Sequence, residues 1–238
     1  MQRETPLDTT TDAPLPATAH PTAALWEQRL RTIVITIVRL GVAYMFFTNL
    51  FWKLPPRFGC ANDFAFPTAN AEGRPVANGS TGLCYWTGLE SVYAPQERRV
   101  LIADTRAAGG PDFAIDIRPL AQLNAAFLDG LVIPNIRIFG WLIFGAEAFI
   151  VLSLALGLLS RLGALTAVGI AAQLWIGLAN IPQPFEWEWS YGLMVLVALA
   201  LFAIAPGRYF GLDALLRPRV LRAAAQGNRL ARLIALAM

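Results

Sequence analysis

The 238-residue sequence is 56% hydrophobic and only 15% charged, whereas a soluble domain carries about 25% charged residues. One histidine and two cysteines are too few for a bis-histidine haem, a three-histidine metal centre or a four-cysteine iron–sulfur cluster. The net charge of +3 comes from arginines spread along the chain, which argues against nucleic acid binding. The composition therefore predicts a membrane protein without its own metal site.

Four apolar stretches predict four transmembrane helices, because about 20 helical residues cross the roughly 30 Å hydrocarbon core of a bilayer. They cover residues 32–52, 138–160, 162–185 and 189–207. Residues 1–31 begin with a segment rich in Thr, Pro and Ala and are predicted to be a disordered tail in which His20 has no role. The predicted fold class is an all-α membrane protein with a four-helix bundle.

The arginines next to the spans predict the orientation of the chain. Arg29 and Arg31 precede the first span, Arg161 lies between the second and third, and six arginines follow the fourth. With four spans these flanks lie on one side, which the positive-inside rule makes the cytoplasm. The prediction is a multi-pass protein of a bacterial inner membrane, with the lipid bilayer as a partner and both termini cytoplasmic.

Residues 53–137 form the one long polar segment between spans and are predicted to be an extracytoplasmic insertion. Cys60 and Cys84 both lie in it. Outside the cytoplasm, two cysteines in one segment predict a disulfide, which here closes a loop rich in turn-forming residues. A reversible redox pair is the alternative, although the spacing is not that of a CxxC motif. The end of the segment, around residues 120–131, has helical spacing of leucines.

Arg39 and Glu147 are ionisable residues inside predicted spans, where charged side chains are usually paired or functional. Arg39 lies roughly 12 Å beyond Arg31 and Glu147 about 19–20 Å from Ser160 along their helices. An extended arginine side chain covers much of that difference, so a buried Arg39–Glu147 pair is one interpretation. Snorkelling of Arg39 to the headgroups is the other.

Two further features at the ends of the spans carry charge. Lys53, beside Trp52 at the end of the first span, is interpreted mainly as an interfacial anchor. Residues 208–238 alternate leucines with arginines and predict an amphipathic cytoplasmic tail. Such a tail is attracted to anionic lipid or binds a partner protein.

Several short strings resemble a known family. VRLG (38–41) with FWKL (51–54), GAE (145–147) with GLLSRLG (157–163), and APGRYFGLD (205–213) resemble the DoxX-like membrane proteins. The resemblance covers all four predicted spans and implies a four-helix membrane bundle. It places five residues on the recurrent polar positions of the family: Arg39, Lys53, Glu147, Arg161 and Asp213.

The DoxD branch of that family implies a function. Its members are the small membrane subunit of thiosulfate:quinone oxidoreductase, so we expect a membrane subunit of a quinone-linked oxidoreductase. Quinone would be a co-substrate, Arg39 and Glu147 would form the quinone or proton site, and Lys53 and Arg161 would contact the cofactor. We expect no covalently bound cofactor. We do expect partner subunits that belong to a redox complex. The long insertion departs from a minimal family member.

A non-enzymatic role is the alternative hypothesis. A small-residue ridge in the third span, formed by Gly163, Ala167 and Ala171, favours close helix packing. With the arginine-rich tail, it suits an accessory or scaffold subunit of a larger respiratory or redox complex. The sequence is compatible both with an oxidoreductase subunit of the thiosulfate dehydrogenase (quinone) type and with a subunit that is not an enzyme.

Overall fold

A computed structural model describes residues 21–103, 113–182 and 188–238 of the chain. Residues 1–20, including His20, lie outside the described residues, so the tail prediction is not addressed there. The protein is mostly helical, and its longest helices are α1 (Pro21–Leu50), α4 (Ile136–Leu156), α5 (Ser160–Leu178) and α6 (Glu188–Ile204).

Three of the helical segments are long and apolar enough to cross a membrane, namely Leu25–Lys53, Ile136–Leu156 and Ser160–Leu178. The predicted fourth span corresponds to α6, whose apolar part, Ser190–Ile204, is shorter. Many large apolar side chains on these helices are exposed, Ile138 and Leu142 among them. Such surfaces are expected on helices that face lipid, because apolar side chains in contact with lipid are not exposed to water.

Small residues allow α5 to pack closely against its neighbours. Ala164, Ala167 and Ala171 are fully buried on one face of α5, and Gly163 lies against the Ser153 side chain of α4. α5 packs against α4 and α6, and α1 packs against α4. The small-residue ridge predicted for the third span is confirmed as a packing surface.

Helix α1 begins earlier than the sequence pattern predicts. It starts at Pro21, so residues 21–31 are helical and the prediction of disorder is wrong for them. Proline at the start of a helix loses no hydrogen bond, since the first N–H groups have no partner within the helix. From Pro21 the helix then continues without a break to Leu50.

Residues 54–135 lie between α1 and α4 and are called the insert. It contains α2 (Gly82–Tyr93), α3 (Arg118–Phe127) and a π-helical turn (Leu128–Val132), which confirms the helix predicted around residues 120–131. It also contains two antiparallel two-stranded sheets, β1 (Thr68–Ala69) with β2 (Pro75–Val76) and β3 (Arg99–Ala103) with β4 (Phe113–Asp116). The all-α prediction is therefore correct for the bundle but not for the insert.

The insert rests on one end of the bundle through α2 and α3, which both contact α5. Its core joins Phe58, Leu83 and Leu128 to Ile136 of α4. Gly140 of α4 allows this contact, because a Cβ there would collide with the Phe58 ring.

The chain ends at the opposite end of the bundle in two short helices. A 3₁₀ turn (Pro206–Arg208) leads to α7 (Leu212–Ala225), and Gly227, with φ of 92°, separates α7 from α8 (Arg229–Ala237). The Asn228 side chain caps α8 by accepting a hydrogen bond from Ala231 N at 3.1 Å. The helical character predicted for the tail is confirmed.

Candidate functional site

A cavity of about 240 Å³ lies between the insert and the bundle. We call it the insert-side cavity. Most of its wall is apolar, as is usual for small-molecule sites. Three ionisable side chains from three separate parts of the chain line it: Lys53 after α1, Glu90 in α2 and Glu147 in α4. The other lining residues are Leu83, Trp86, Thr87, Phe127, Leu128, Val132, Phe139, Ile143, Gly169, Ile170, Gln173 and Leu174.

Lys53 and Glu147 form a buried ion pair in the wall of this cavity. Lys53 Nζ donates a hydrogen bond to Glu147 Oε1, and the Glu147 residue is 1% exposed. Lys53 is itself buried, so its interpretation as an interfacial anchor is wrong. Lys53 lies in a 3₁₀ turn (Phe51–Lys53) that directly continues α1. This turn directs the ammonium group into the protein.

The predicted Arg39–Glu147 pair does not form. Arg39 donates a hydrogen bond to Phe210 O and lies against Gly157, at the end of α4. Glu147 is ten residues earlier on α4, or about 15 Å away along the helix axis. The sequence-based estimate placed the end of the bundle at Arg31. In the structure Arg39 lies at that end, and the part of α1 that precedes Arg39 extends beyond it, beside Arg208 and Tyr209.

The same geometry explains why Lys53 reaches Glu147. Lys53 is 14 residues beyond Arg39, so it lies about 21 Å above the bundle end that Arg39 marks. Glu147 lies about 15 Å above the same end. The extended lysine side chain covers the remaining distance, and the two charges meet deep in the protein.

Glu147 keeps one acceptor atom without a partner. Its Oε2 atom is buried and accepts no hydrogen bond from any residue in the described ranges 21–103, 113–182 and 188–238. A buried carboxylate oxygen normally has a partner, since leaving it unsatisfied costs about 1–3 kcal/mol or more. Because Glu147 lines the cavity, this atom suits a ligand that presents an O–H or N–H group.

Glu90 is the second buried acidic group of the cavity, and it was not predicted to be a site residue. It is 4% exposed, and its Oε2 atom accepts hydrogen bonds from Asn124 Nδ2 at 2.6 Å and Gln173 Nε2 at 2.7 Å. Burial raises the pKa of Glu90 to about 8, although these hydrogen bonds and the charge of Arg98 act against the rise. Glu90 is therefore mostly protonated at neutral pH.

The helical spacing of α2 contains the pattern that identifies Glu90. Leu83, Thr87 and Glu90 occupy one face at i, i+4 and i+7, and all three are buried. A carboxyl group on an otherwise buried face is unusual. Because the same segment contains Cys84, its sequence predicted a disulfide, and Glu90 was not recognised as a site residue.

Arg98 ties the insert to α5. It is 1% exposed and donates hydrogen bonds to Gly177 O and Ala179 O, both at 2.9 Å, at the C-terminal end of α5. It also donates to Tyr93 O at 3.3 Å. Burial lowers the pKa of Arg98 to about 10, so it keeps its charge at neutral pH. A cation at a helix C-terminus also interacts favourably with the helix dipole.

The predicted disulfide between Cys60 and Cys84 is confirmed. Both cysteines are buried, with Cys84 fully so, which favours the structural reading over a reversible redox pair. The bridge holds Gly59 against Gly82 and against the Trp52 carbonyl, where a Cβ at either glycine would collide. It thereby links the start of α2 to the turn that carries Lys53.

Arg161 and Asp213 lie at the other end of the bundle, away from the insert-side cavity. Asp213 begins α7, but its carboxylate caps α5 by accepting hydrogen bonds from Leu159 N at 2.8 Å and Ser160 N at 2.9 Å. Arg161 donates to Phe202 O at 3.2 Å near the end of α6. These contacts stabilise helix ends, and Arg161 lines none of the insert-side cavity.

Within the described parts of the chain, no three His, Cys, Asp or Glu residues lie close enough to hold a metal ion. Comparison with protein-family models, curated proteins and solved structures gives no match for this chain. The resemblance to DoxX-like proteins therefore rests on the sequence motifs, and the cavity provides an independent argument about function.

Proposed function

We propose that this protein is a quinone-binding membrane subunit of an oxidoreductase, with thiosulfate as the candidate electron donor. The observation that supports the proposal is the insert-side cavity, which joins apolar walls to Lys53, Glu147 and Glu90. A quinone ring is flat and apolar and carries two carbonyl oxygens. Such a ring fits a site with mostly apolar walls and a few polar groups.

Each ionisable group has a role in this proposal. Quinone reduction takes up two electrons and two protons, one proton at each carbonyl oxygen. Lys53 Nζ stabilises the negative charge that develops on one oxygen, since an oriented cation in a dry site acts strongly on developing charge. Glu147 Oε2, which has no partner among the described residues, accepts a hydrogen bond from the hydroxyl of the quinol.

Glu90 supplies a proton in the same cavity. Its pKa of about 8 leaves it protonated at neutral pH, and a general acid works best with a pKa near the operating pH. Asn124 and Gln173 fix its position from the insert and from α5. After transfer, Arg98 and the two amide groups stabilise the carboxylate. The second proton comes from water, which also reprotonates Glu90, and the two electrons come from the donor directly or through a partner subunit.

The proposal includes a topology. We infer that α6 is the fourth span, that the insert faces the extracytoplasmic side and that both termini are cytoplasmic in a bacterial inner membrane. The support is the placement of Arg29, Arg31, Arg161 and the α7–α8 arginines on the flanks opposite the insert. A donor outside the cell membrane would then meet the insert.

The test measures quinone binding to the purified protein and then thiosulfate- or sulfide-dependent quinone reduction in proteoliposomes. Glu147→Gln should lower the reduction rate by about tenfold to 100-fold, because it removes the charged acceptor of the quinol hydroxyl, and a hydrogen bond to a charged group contributes about 1.5–3 kcal/mol. Glu97→Gln is the matched control, because the Glu97 side chain is 66% exposed. A Glu147→Gln rate equal to wild type removes Glu147 from the mechanism, and absence of quinone binding refutes the proposal.

An accessory role in a larger redox complex is the second candidate. It is favoured by the N-terminal part of α1, before Arg39. There Leu25, Trp26 and Ile33 are each more than half exposed and are available to contact a partner. Copurification from the native membrane distinguishes the two. A stable partner together with an isolated chain that binds no quinone supports the accessory role.

A further inference from the structure

A second cavity shares a wall with the insert-side cavity. Its volume is about 310 Å³, and Lys53, Trp86, Glu147 and Leu174 line both spaces. We call it the α1–α6 cavity, because most of its other lining residues come from the ends of these two helices. The remaining lining residues are Phe46, Asn49, Trp52, Leu178, Tyr191 and Met194.

The two cavities differ in chemistry. The insert-side cavity contains Glu90 and its amide partner Gln173, in addition to the shared ion pair. Beyond that pair, the α1–α6 cavity is lined by apolar side chains such as Phe46, Leu178 and Met194 and by the polar side chains of Asn49 and Tyr191. Among the described residues, only those of the insert-side cavity add a carboxyl group to the shared pair, so the reactive ring of a ligand that extends across both spaces would lie there and the rest of the ligand in the α1–α6 cavity.

The sizes point to one ligand across both cavities. At about 240 Å³, the insert-side cavity is smaller than the roughly 300–1,000 Å³ of typical small-molecule sites. Together the two cavities fall inside that range. The shared wall of Lys53 and Glu147 lies at the junction, where the polar end of such a ligand meets its chain.

The α1–α6 cavity also lies where a molecule dissolved in lipid can enter. α1 packs mainly against α4, and α6 packs mainly against α5, so the seam between α1 and α6 is thinly packed. Asn49 and Trp52 are exposed at this seam, Trp52 by 69%. The opening therefore faces the surface that the apolar helices present to a bilayer.

We propose that the α1–α6 cavity binds the apolar chain of a lipid-soluble ligand whose polar ring occupies the insert-side cavity. This inference rests on the proposed function, in which the ligand is a membrane quinone. Its apolar chain is then the isoprenoid tail of that quinone. A fatty acyl chain of a lipid has the same apolar chemistry, so the experiment separates the two sources.

The experiment compares a ring quinone without a chain and the same ring with an isoprenoid chain, using the full-length protein in detergent. Met194→Trp fills the α1–α6 cavity, and Leu196→Trp is the matched control on the same helix, where Leu196 is 59% exposed. Met194→Trp should weaken binding of the chain-bearing quinone by about tenfold or more and leave the chainless quinone unchanged. Leu196→Trp should change neither.

A photoreactive group at the end of the chain identifies the occupant. A labelled quinone should crosslink to α1 or α6 beside the cavity and be displaced by unlabelled quinone but not by a fatty acid of similar length. Displacement by the fatty acid assigns the cavity to lipid and overturns the quinone-tail assignment.

The failures of the two proposals are distinguishable. If the chainless quinone binds and the chain adds no affinity, this inference is wrong while the proposed function stands. The same holds if Met194→Trp weakens both quinones equally. If neither quinone binds to the wild-type protein, the proposed function fails and this inference fails with it.

Discussion

Lys53 and Glu147 are 94 positions apart in the chain, yet they form an ion pair that is almost fully shielded from solvent. The pair joins the turn after α1 to the middle of α4 and lies in the wall of both cavities. An ion pair at this depth is costly to form, because both charges lose their hydration. In the proposed function, the position of the pair between the two cavities is the reason for this cost.

Removing Lys53 alone should destabilise the protein strongly. Lys53→Met leaves Glu147 as an unpaired buried charge, with an expected cost of about 3–5 kcal/mol. The double variant Lys53→Met/Glu147→Gln should cost less than Lys53→Met, because both charges are removed. Denaturant unfolding in detergent measures both.

Arg57→Met is the matched control for this pair, since Arg57 is an exposed base four residues away and its loss should change little. A double variant that is less stable than Lys53→Met would contradict the ion-pair account.

The stability of the protein should depend on pH through Glu90. Its folded pKa of about 8 exceeds the usual 4.5, so the folded state holds this proton more tightly than the unfolded state. The free energy of unfolding should therefore fall as pH rises from about 4.5 to about 8. Thermal unfolding in detergent at about pH 6 and about pH 9 should show a lower midpoint at the higher pH.

Glu90→Gln should reduce this pH dependence, because glutamine resembles the protonated carboxyl group and does not ionise. Glu97→Gln should keep it, since that side chain is largely exposed. An unchanged pH dependence in Glu90→Gln would show that Glu90 does not carry the buried proton.

Removing the disulfide should loosen the insert more than the bundle. The Cys60–Cys84 bridge closes a loop with a sequence separation of 24, which corresponds to about 3–4 kcal/mol in the chain-entropy model. In Cys60→Ala/Cys84→Ala we expect faster proteolysis within residues 61–83 and nearly unchanged helical content by circular dichroism. Wild type treated with reductant under unfolding conditions should behave like the variant, and equal protease resistance would argue against a stabilising role.

Asp213 should be important for the start of α5. Asp213→Ala removes the acceptor for Leu159 N and Ser160 N and should cost about 1–2 kcal/mol in unfolding free energy. Asp213→Asn keeps one acceptor oxygen and should cost less. The prediction is wrong if the two variants unfold at the same denaturant concentration.

Local patterns in the sequence were enough to predict the helices and the disulfide. The apolar stretches match α1, α4 and α5, and the small residues of α5 are buried as predicted. The two cysteines share one polar segment, so their pairing follows from composition and spacing. Each of these features depends on residues close together in the chain.

The pairing of charges was not predictable in the same way. Sequence spacing gives the distance of Arg39 or Glu147 from the end of the bundle only if the position of that end is known. The N-terminal part of α1 extends beyond that end by many residues, so the estimate was displaced. As a result Arg39, identified as a site residue, binds the Phe210 carbonyl, and Lys53, interpreted as an anchor, takes its place beside Glu147. The role of Glu90 depends on α5 and α3, which lie far away in the sequence.

By itself the sequence determined that this chain is rich in membrane-length apolar helices, that it has too few histidines and cysteines for a bis-histidine haem or a four-cysteine iron–sulfur cluster, and that it has one disulfide-closed insert. Hydrophobicity and helical period are local properties, so they can be read from neighbouring residues. Only the tertiary structure decided which charges meet, because axial offset between helices depends on how their ends and the insert pack. That packing places Lys53, Glu90 and Glu147 around one cavity.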